Sequence, residues 1–227
     1  GGLGECSGDT RQPAIHINST HLRMRISATV MAAGQSTRMD NTNKLLLIID
    51  GNPMVKRVCE SVLATGFDPV VVVTGFEKDK VEAALNKLEL QFTHNSHWAD
   101  GMATSIFSGL VALPDNTDGN LIALGDMPFV SVETLEKLKN SFISHEGKHI
   151  IYPKHDDQQG NPVLFPQKYF DEIMSSTGDR GCKKVLRKYP DDAVPVPIDS
   201  NEVILDCDTN EDYLKLKYHS EELNVQT

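Results

Sequence analysis

The chain has 227 residues, of which 39% are hydrophobic and 24% are charged, proportions that are ordinary for one large globular domain. The 32 acidic residues outnumber the 22 basic ones and give a net charge of −10, which argues against a nucleic-acid polymer or an anionic membrane surface as the main partner. No apolar run approaches the roughly 18 residues of a membrane span, and the four cysteines form no CxxC pair, so we predict a cytoplasmic protein with reduced thiols.

Residues 1–25 are polar and glycine-rich without sustained periodicity, which predicts a flexible leader or an appended non-native segment. From residue 26 to about residue 144, short β-rich runs alternate with segments whose apolar residues recur at helical spacing. This alternation predicts an α/β fold with a predominantly parallel central sheet and helices on both faces. The second half is less regular, and prolines divide it into short pieces, among which EVILDCD is predicted as a strand. We predict a single domain over residues 26–219 and a tail over residues 220–227.

The first predicted strand, ISATVMAA, continues into a loop that contains Gly34, Arg38 and Lys44. A loop that leaves a strand can direct several backbone N–H groups at one oxyanion, and two cations add full positive charges. The pattern is therefore typical of a phosphate site. It also fits an ordinary strand-to-helix turn with two solvated cations, and the residues alone leave both interpretations open.

Two further segments place acidic side chains at predicted strand ends, where an α/β sheet binds its ligand. LIALGDMPFV delivers Asp126, and VILDCDTNEDY delivers Asp206 and Asp208 on one face of its predicted strand. Asp126 could instead cap the following helix, and Thr209 or Asn210 could cap the last one. Together the acids indicate a Mg²⁺ site, because Mg²⁺ prefers one or two carboxylates completed by water and phosphate oxygens.

Three polar segments that contain glycine are candidate binding loops. HNSHWADGMATSI places Gly101 before a helix with Ser105 in its first turns, which suits a phosphate or a base edge as well as an ordinary loop-to-helix junction. QQGNPVLF brings Gly160 and Asn161 ahead of a strand. STGDRGCKKVL sets Arg180 and a lysine pair around a helix start, for which ordinary surface charge is the alternative. The single tryptophan is assigned to packing rather than to base stacking.

The motifs MAAGQSTRM, GDMP, GNPVLF, GDRG and LDCDT, together with Lys44, follow one another between residues 26 and 218. In this order and spacing they resemble the molybdenum cofactor nucleotidyltransferases, and most closely the cytidylyltransferases. The resemblance implies a Rossmann-like nucleotidyltransferase fold in which the AAGxSxRM loop binds the nucleotide and its phosphates. It also implies that Asp126 and Asp208 bind Mg²⁺. One departure is Asp40, which stands where the family usually has Gly after RM.

The predicted site has three parts besides the metal. Arg38, Lys44 and Asp126 are predicted to take part in catalysis. The predicted nucleotide contacts are Ala32, Ala33, Gly34, Ser36, Thr37, Arg38, Lys44, Thr74, Asn95, Gly101, Ser105 and Gly125. The predicted pterin contacts, which rest on the resemblance, are Gly160, Asn161, Pro162, Gly178, Asp179, Arg180 and Gly181.

The activity that the resemblance implies is transfer of CMP from CTP to molybdopterin, with release of pyrophosphate and with Mg²⁺ as cofactor. CTP is favoured over GTP because the loop reads AAG, where guanylyltransferases of the family usually read AGG. The product would serve a recipient molybdoenzyme or its chaperone. The alternatives are a guanylyltransferase, a sugar-phosphate or polyol-phosphate nucleotidyltransferase, and a non-catalytic nucleotide-binding or cofactor-binding maturation module. The presence of both acidic segments argues against the non-catalytic module.

Overall fold

The computed structural model describes residues 24–36, 39, 42–176 and 181–225, and residues 1–23 of the predicted leader lie outside this range. The strands are β1 (Ile26–Ala32), β2 (Ile48–Ile49), β3 (Asn52–Pro53), β4 (Val70–Thr74), β5 (Gln91–His94), β6 (Gly119–Leu124), β7 (Ile150–His155), β8 (Gln158–Gln159), β9 (Val163–Pro166) and β10 (Ala193–Pro197). The α-helices are α1 (Met54–Ala64), α2 (Lys78–Leu85), α3 (Met102–Val111), α4 (Val132–Ser144), α5 (Phe170–Ser175), α6 (Gly181–Lys188) and α7 (Asn210–Val225). None of the helices in the described ranges has the length and apolar character needed to cross a bilayer.

The central sheet has the strand order β10-β7-β9-β6-β1-β4-β5, with the short strand β8 paired to β7 at the side. Strand β1 pairs in parallel with both β4 and β6, and β5 and β10 also pair in parallel with their neighbours. Strand β9 runs antiparallel to β6 and to β7. The sheet is therefore predominantly parallel, as the sequence predicts.

Helices cover both faces of this sheet, because alternate residues of a strand point to opposite sides. On one face Val30 of β1 belongs to a core formed with α1, α2 and α4. On the other face Met31 belongs to a core formed with α3, α5 and α6. All seven residues of β1 are buried, as expected for a central strand that has helices on both sides. The predicted layer arrangement is confirmed.

Two segments differ from their predicted structure. EVILDCD is not a strand: residues 201–203 form a single 3-10 turn, and residues 205–208 have no regular structure. The alternating apolar pattern that suggested a strand arises instead because Val203 and Cys207 are both fully buried in an irregular segment. Residues 220–225, predicted as a tail, continue helix α7.

Helix α3 lies directly on the sheet at Gly109. A Cβ atom at Gly109 would lie 2.5 Å from Cγ2 of Thr29 and 3.0 Å from Cγ2 of Val73, both well inside the normal separation of packed carbon atoms. The helix therefore accepts a residue of low helix propensity in order to approach β1 and β4 closely.

We expect Gly109→Ala to lower the free energy of unfolding by about 1 to 3 kcal/mol, since overpacking of this kind outweighs the roughly 1 kcal/mol that Ala gains over Gly in a helix interior. Urea unfolding monitored by circular dichroism measures the change. Adding Thr29→Ser, which removes the obstructing methyl group, should recover part of the loss, and Thr29→Ser alone is the control. A Gly109→Ala protein as stable as the wild type would contradict the expectation.

Candidate active site

The carboxyl ends of β1, β4 and β6 meet at one edge of the sheet, and the candidate site lies there. The chain leaving β6 is fixed to β1 because the N–H of Gly125 donates to the carbonyl oxygen of Met31 at 3.0 Å. The chain leaving β4 is fixed in the same way, because Phe76 N–H donates to the carbonyl oxygen of Ala33 at 3.0 Å. These contacts place the segments that follow the three parallel strands side by side, as expected for an α/β ligand site.

Lys44 is positioned by the loop that follows β1. Its backbone N–H donates to Oγ of Ser36 at 3.1 Å, so the Ser36 hydroxyl closes the loop onto the residue that carries the cation. Ser36 has a left-handed backbone with φ of 59°, which is uncommon for a residue with a side chain. Asn43 caps the short 3-10 helix over residues 44–46 by accepting from Leu45 N–H at 3.1 Å. Thr37, Arg38 and Asp40 lie outside the described residues.

The Lys44 ammonium joins the two acidic segments. Its Nζ lies 2.6 Å from Oδ2 of Asp126 and 2.9 Å from Oδ1 of Asp208. The side chains of Lys44 and Asp126 are only 16% and 15% exposed, so this ion pair is largely shielded from water, whereas Asp208 is 43% exposed. Three residues that are far apart in the sequence therefore meet within hydrogen-bonding distance.

The backbone around Asp208 is held by the start of helix α7. Thr209 N–H donates to the carboxylate of Asp212 at 2.9 Å, and Asp212 N–H donates to Oγ1 of Thr209 at 3.1 Å. This reciprocal pair is a capping box. Thr209 thus takes the capping role that the sequence left open, and the carboxylate of Asp208 bonds to Lys44.

The described residues of the site carry more negative than positive charge. Burial opposes the charged form of Lys44, but the Asp126 and Asp208 carboxylates outweigh it and raise the pKa of the ammonium. Burial, followed by the neighbouring Asp126 and Asp208 charges, raises the pKa of the Asp206 carboxyl. Among the described residues, three carboxylates thus interact electrostatically with one ammonium, and Asp126 and Asp208 bond to it. An anionic triphosphate would be repelled here unless additional positive charge accompanied it.

The carboxylates fit a divalent cation that is completed by other ligands. The bonded oxygens of Asp126 and Asp208 each lie within 3 Å of the same nitrogen, so both can reach a single bound cation. No group of three or more His, Cys, Asp or Glu side chains within the described parts of the chain is arranged to hold a metal. Mg²⁺ is commonly bound by one or two carboxylates together with substrate phosphates and water, rather than by a protein cage.

A cavity of about 420 Å³ adjoins the Lys44–Asp126 pair. Six residues of the predicted site line it: Ala33, Gly34, Lys44, Gly101, Ser105 and Asp126. The sequence analysis did not select the other lining residues, which are Met31, Gln35, Leu45, Trp98, Ala99, Met102 and Leu124. Trp98 had been assigned to packing, and although it contacts Phe76 edge to face it is also part of the cavity wall. The sequence signal that could have identified Trp98 as a cavity residue is its position inside the polar segment before Gly101.

Besides Ser36, four predicted nucleotide contacts among the described residues lie outside the lining of this cavity. Ala32 is buried in the core between the sheet and its helices. Thr74 is buried and donates through Oγ1 to Glu82 at 2.9 Å. Asn95 donates through Nδ2 to Oγ of Ser105 at 2.9 Å, which supports a residue of the cavity wall without contacting the cavity itself. The fourth is Gly125, where glycine is present because the end of β6 approaches β1 closely.

The predicted pterin contacts have a structural explanation in part. Asn161 N–H donates to the carbonyl oxygen of Val203 at 2.8 Å, and a Cβ on Gly160 would lie 2.6 Å from the same oxygen. Both residues therefore support the segment that carries Asp208. Pro162 is buried beside α1 and α4. Gly178, Asp179 and Arg180 lie outside the described residues, and Gly181 is the first residue of α6.

Gly34 and Gly125 follow adjacent strands but differ in their surroundings. A Cβ atom on Gly34 would meet no atom within 4 Å, and its backbone is not left-handed. A Cβ on Gly125 would lie 2.8 Å from the carbonyl oxygen of Met31. Gly125 is therefore required by the fold, whereas no contact among the described residues requires glycine at Gly34.

We expect Gly34→Ala to keep the wild-type stability within about 0.5 kcal/mol and to weaken nucleotide binding about tenfold, or ~1.4 kcal/mol, because the added methyl group would project toward the cavity. Isothermal titration with each nucleoside triphosphate and thermal unfolding measure the two effects. Gly125→Ala is the matched control, and it should lower stability. Unchanged binding by a folded Gly34→Ala protein would show that no ligand approaches this backbone.

Comparisons with known proteins agree with this geometry. The MobA-like NTP transferase domain family matches residues 28–194. Molybdenum cofactor cytidylyltransferase of Escherichia coli (strain K12) is 24% identical over 193 residues, which are 85% of this chain and 95% of that protein. Nicotine blue oxidoreductase of Paenarthrobacter nicotinovorans is 28% identical over 173 residues, which are 73% of this chain and 83% of that protein. A Mycobacterium tuberculosis H37Rv protein solved in complex with manganese has a TM-score of 0.74 at 24% identity, covering 86% of this chain and 99% of that one.

The family match covers the parallel half of the sheet and continues to the start of strand β10. It includes the loop after β1, Lys44 and Asp126, while Asp208 lies beyond its end. The predicted Rossmann-like fold and the predicted enzyme class are both confirmed. This chain belongs to the MobA-like NTP transferase domain family and is a nucleotidyltransferase.

Proposed function

We propose that this enzyme transfers CMP from CTP to molybdopterin in the cytoplasm, with Mg²⁺ as cofactor. The observation that carries the proposal is the meeting of Lys44 with Asp126 and Asp208 beside the cavity that Ala33 and Gly34 line. A cation and a carboxylate at the wall of a ligand-sized cavity, with a second carboxylate bonded to the same cation, suit a metal-bound triphosphate. Membership of the family defines neither the nucleotide nor the acceptor of the transfer.

The reaction requires positioning and charge neutralisation more than proton transfer. An oxygen of the terminal phosphate of molybdopterin attacks the α-phosphorus of CTP, the bond from the α-phosphorus to the bridging oxygen breaks, and pyrophosphate leaves with the bonding electrons. A phosphate monoester is largely ionised near neutral pH, so no general base is needed. Lys44 would neutralise charge on the departing pyrophosphate, and Arg38 is proposed for the same role.

The metal would be held by Asp126 and Asp208, whose oxygens already converge on one point. Bound Mg²⁺ supplies positive charge to the phosphate oxygens. The two carboxylates would then be neutralised by the metal, so Lys44 would no longer be their principal partner and its ammonium would be available to the phosphates.

The choice of substrates rests on two weaker observations. The loop reads AAG, as the sequence analysis noted for cytidylyltransferases, and one relative is named a molybdenum cofactor cytidylyltransferase. Gly178, Asp179, Arg180 and Gly181 stay proposed pterin contacts. Gly160 and Asn161 are proposed to act by supporting the Asp208 segment, and the product is proposed to serve a molybdoenzyme or its chaperone.

Pyrophosphate release tests the proposal. The protein is incubated with CTP, GTP, ATP or UTP, with Mg²⁺ or Mn²⁺, and with molybdopterin, a sugar phosphate or no acceptor. Release with CTP and molybdopterin supports the proposal. Release with GTP would indicate a guanylyltransferase, and release with a sugar phosphate would indicate that class of acceptor. Absence of release under every condition would favour a non-catalytic binding module.

We expect Asp126→Asn to lower kcat by about 10² to 10³-fold while the dissociation constant for CTP changes much less. The reason is that the Asp126 carboxylate is proposed to hold Mg²⁺, whose charge would offset that of the transition state, rather than to bind the nucleotide directly. Asp118→Asn is the control, since Asp118 precedes the opposite end of the same strand and accepts from Arg25 N–H. Equal losses in turnover and binding would contradict a role in the transition state.

We expect Lys44→Met to lower the free energy of unfolding at pH 7 by about 1 to 3 kcal/mol, because it removes the cation that bonds to both Asp126 and Asp208. The pKa of Lys44 in the folded protein is raised above its ordinary value of 10.5. The stabilisation by Lys44 is thus fully present below pH 10.5 and is lost as the pH rises through the folded pKa.

Urea unfolding of the wild type and of Lys44→Met between pH 7 and pH 11 measures the difference in their free energies of unfolding. It should stay constant to about pH 10 and then shrink. Lys137→Met, which removes the cation of the exposed Glu133 pair, is the control and should affect stability much less. A difference that grows with pH in the alkaline range would exclude the ion pair as its source.

A further inference from the structure

The segment that carries Asp208 has no regular structure to hold it. Residues 205–208 are outside the sheet and outside the helices, and Asp208 is nevertheless fixed on Lys44. Its downstream end is anchored by the capping box of α7. The upstream end is anchored at Glu202 and Val203, which precede the irregular stretch.

The carboxylate of Glu202 binds the N-terminus of helix α4. Oε1 of Glu202 accepts from the N–H of Ser131 at 3.0 Å and from its hydroxyl at 2.8 Å. Ser131 is the N-cap of α4, and its Oγ also accepts from Thr134 N–H at 3.2 Å. A carboxylate at this position is further stabilised by the helix dipole.

This contact joins the two segments that supply the carboxylates of the site. Asp126 lies in the short loop between β6 and α4, and Ser131 ends that loop. Asp208 lies in the segment that begins at Glu202. The two segments are therefore connected at two points. Lys44 bonds to a carboxylate of each segment, and Ser131 of one segment donates to Glu202 of the other.

The opposite side of the Glu202 segment is packed without freedom to shift. Val203 is fully buried, its carbonyl oxygen accepts from Asn161 N–H at 2.8 Å, and a Cβ on Gly160 would lie 2.6 Å from that oxygen. A change in the Ser131–Glu202 contact thus cannot be absorbed by movement toward Gly160. The irregular stretch toward Asp208 is the part of this segment that has no regular structure to resist a displacement.

We propose that Glu202 is a positioning residue, which sets the separation of Asp126 and Asp208 through its contact with Ser131. The inference rests on the proposed function, because it assigns to those two carboxylates a shared divalent cation. Glu202 does not touch the cation in this assignment. Partners behind the ligands of a metal site commonly change its affinity 10-fold to 100-fold when they are removed.

Binding of Mn²⁺ in the presence of CTP, measured by electron paramagnetic resonance of the free ion, tests the proposal without requiring turnover. Glu202→Ala should weaken Mn²⁺ binding at least tenfold. Glu202→Gln keeps an oxygen that accepts from Ser131 and should stay within about threefold of the wild type. Glu133→Ala, in the first turn of the same helix and paired with Lys137, is the control and should bind as the wild type does.

A second variant separates positioning from stability. Ser131→Asp keeps a residue that caps α4 well, but it places a negative charge against Glu202, so it should weaken Mn²⁺ binding with little change in the stability of α4. Adding Glu202→Gln removes the repulsion and should restore binding in part. Melting temperatures are measured for every variant.

The outcomes distinguish this inference from the proposed function. A wild-type protein that binds no Mn²⁺ with CTP would overturn the metal site and the inference with it. If the wild type binds Mn²⁺ and the folded Glu202→Ala and Ser131→Asp proteins bind it with the same affinity, the positioning role alone would be overturned. A lower melting temperature without weaker Mn²⁺ binding would mean that the Ser131–Glu202 contact only stabilises the fold.

Discussion

The site depends on one interaction, in which the ammonium of Lys44 lies between the carboxylates of Asp126 and Asp208. The two acids come from segments that follow different parts of the fold, and like charges held this close repel each other unless a cation separates them. The largely shielded position of Lys44 and Asp126 increases both the attraction within the pair and the cost of losing one member. The rest of the structure brings these three residues together and keeps them there.

Close backbone contacts provide that support. Strand β6 can approach β1 at its carboxyl end because Gly125 has no side chain, and the Glu202 segment can lie against Asn161 because Gly160 has none. The hydrogen bond that Ser36 Oγ accepts from Lys44 N–H and the capping box of Thr209 then fix the two ends of the ion pair. Positions of this kind leave little room for movement, which is what a site needs when its catalysis depends on the placement of charge.

The electrostatics of the site fit the proposed Mg²⁺, which would need few protein ligands. Among the described residues the site is more negative than a triphosphate could tolerate, and it offers only two convergent carboxylates. The proposed metal, arriving with its nucleotide, would resolve both problems, because the phosphates would complete its coordination and its charge would offset the acids. Lys44 occupies the same electrostatic position in the protein alone, which keeps the two carboxylates together before a ligand binds.

The sequence by itself determined the fold class and the enzyme class, and it predicted the segments that are proposed to carry the chemistry. Alternating strands and helices can bury their apolar faces in few other ways, and the order of the motifs identified Lys44, Asp126 and Asp208. Only the tertiary structure decided how these residues meet. It also showed that the Asp208 segment is an irregular stretch held by Glu202 and Val203, and that Trp98 forms part of a cavity wall. The reason is physical: periodicity in a sequence reports which face of an element is buried, whereas the contact between Ser131 and Glu202 depends on how distant elements pack, which no local pattern encodes.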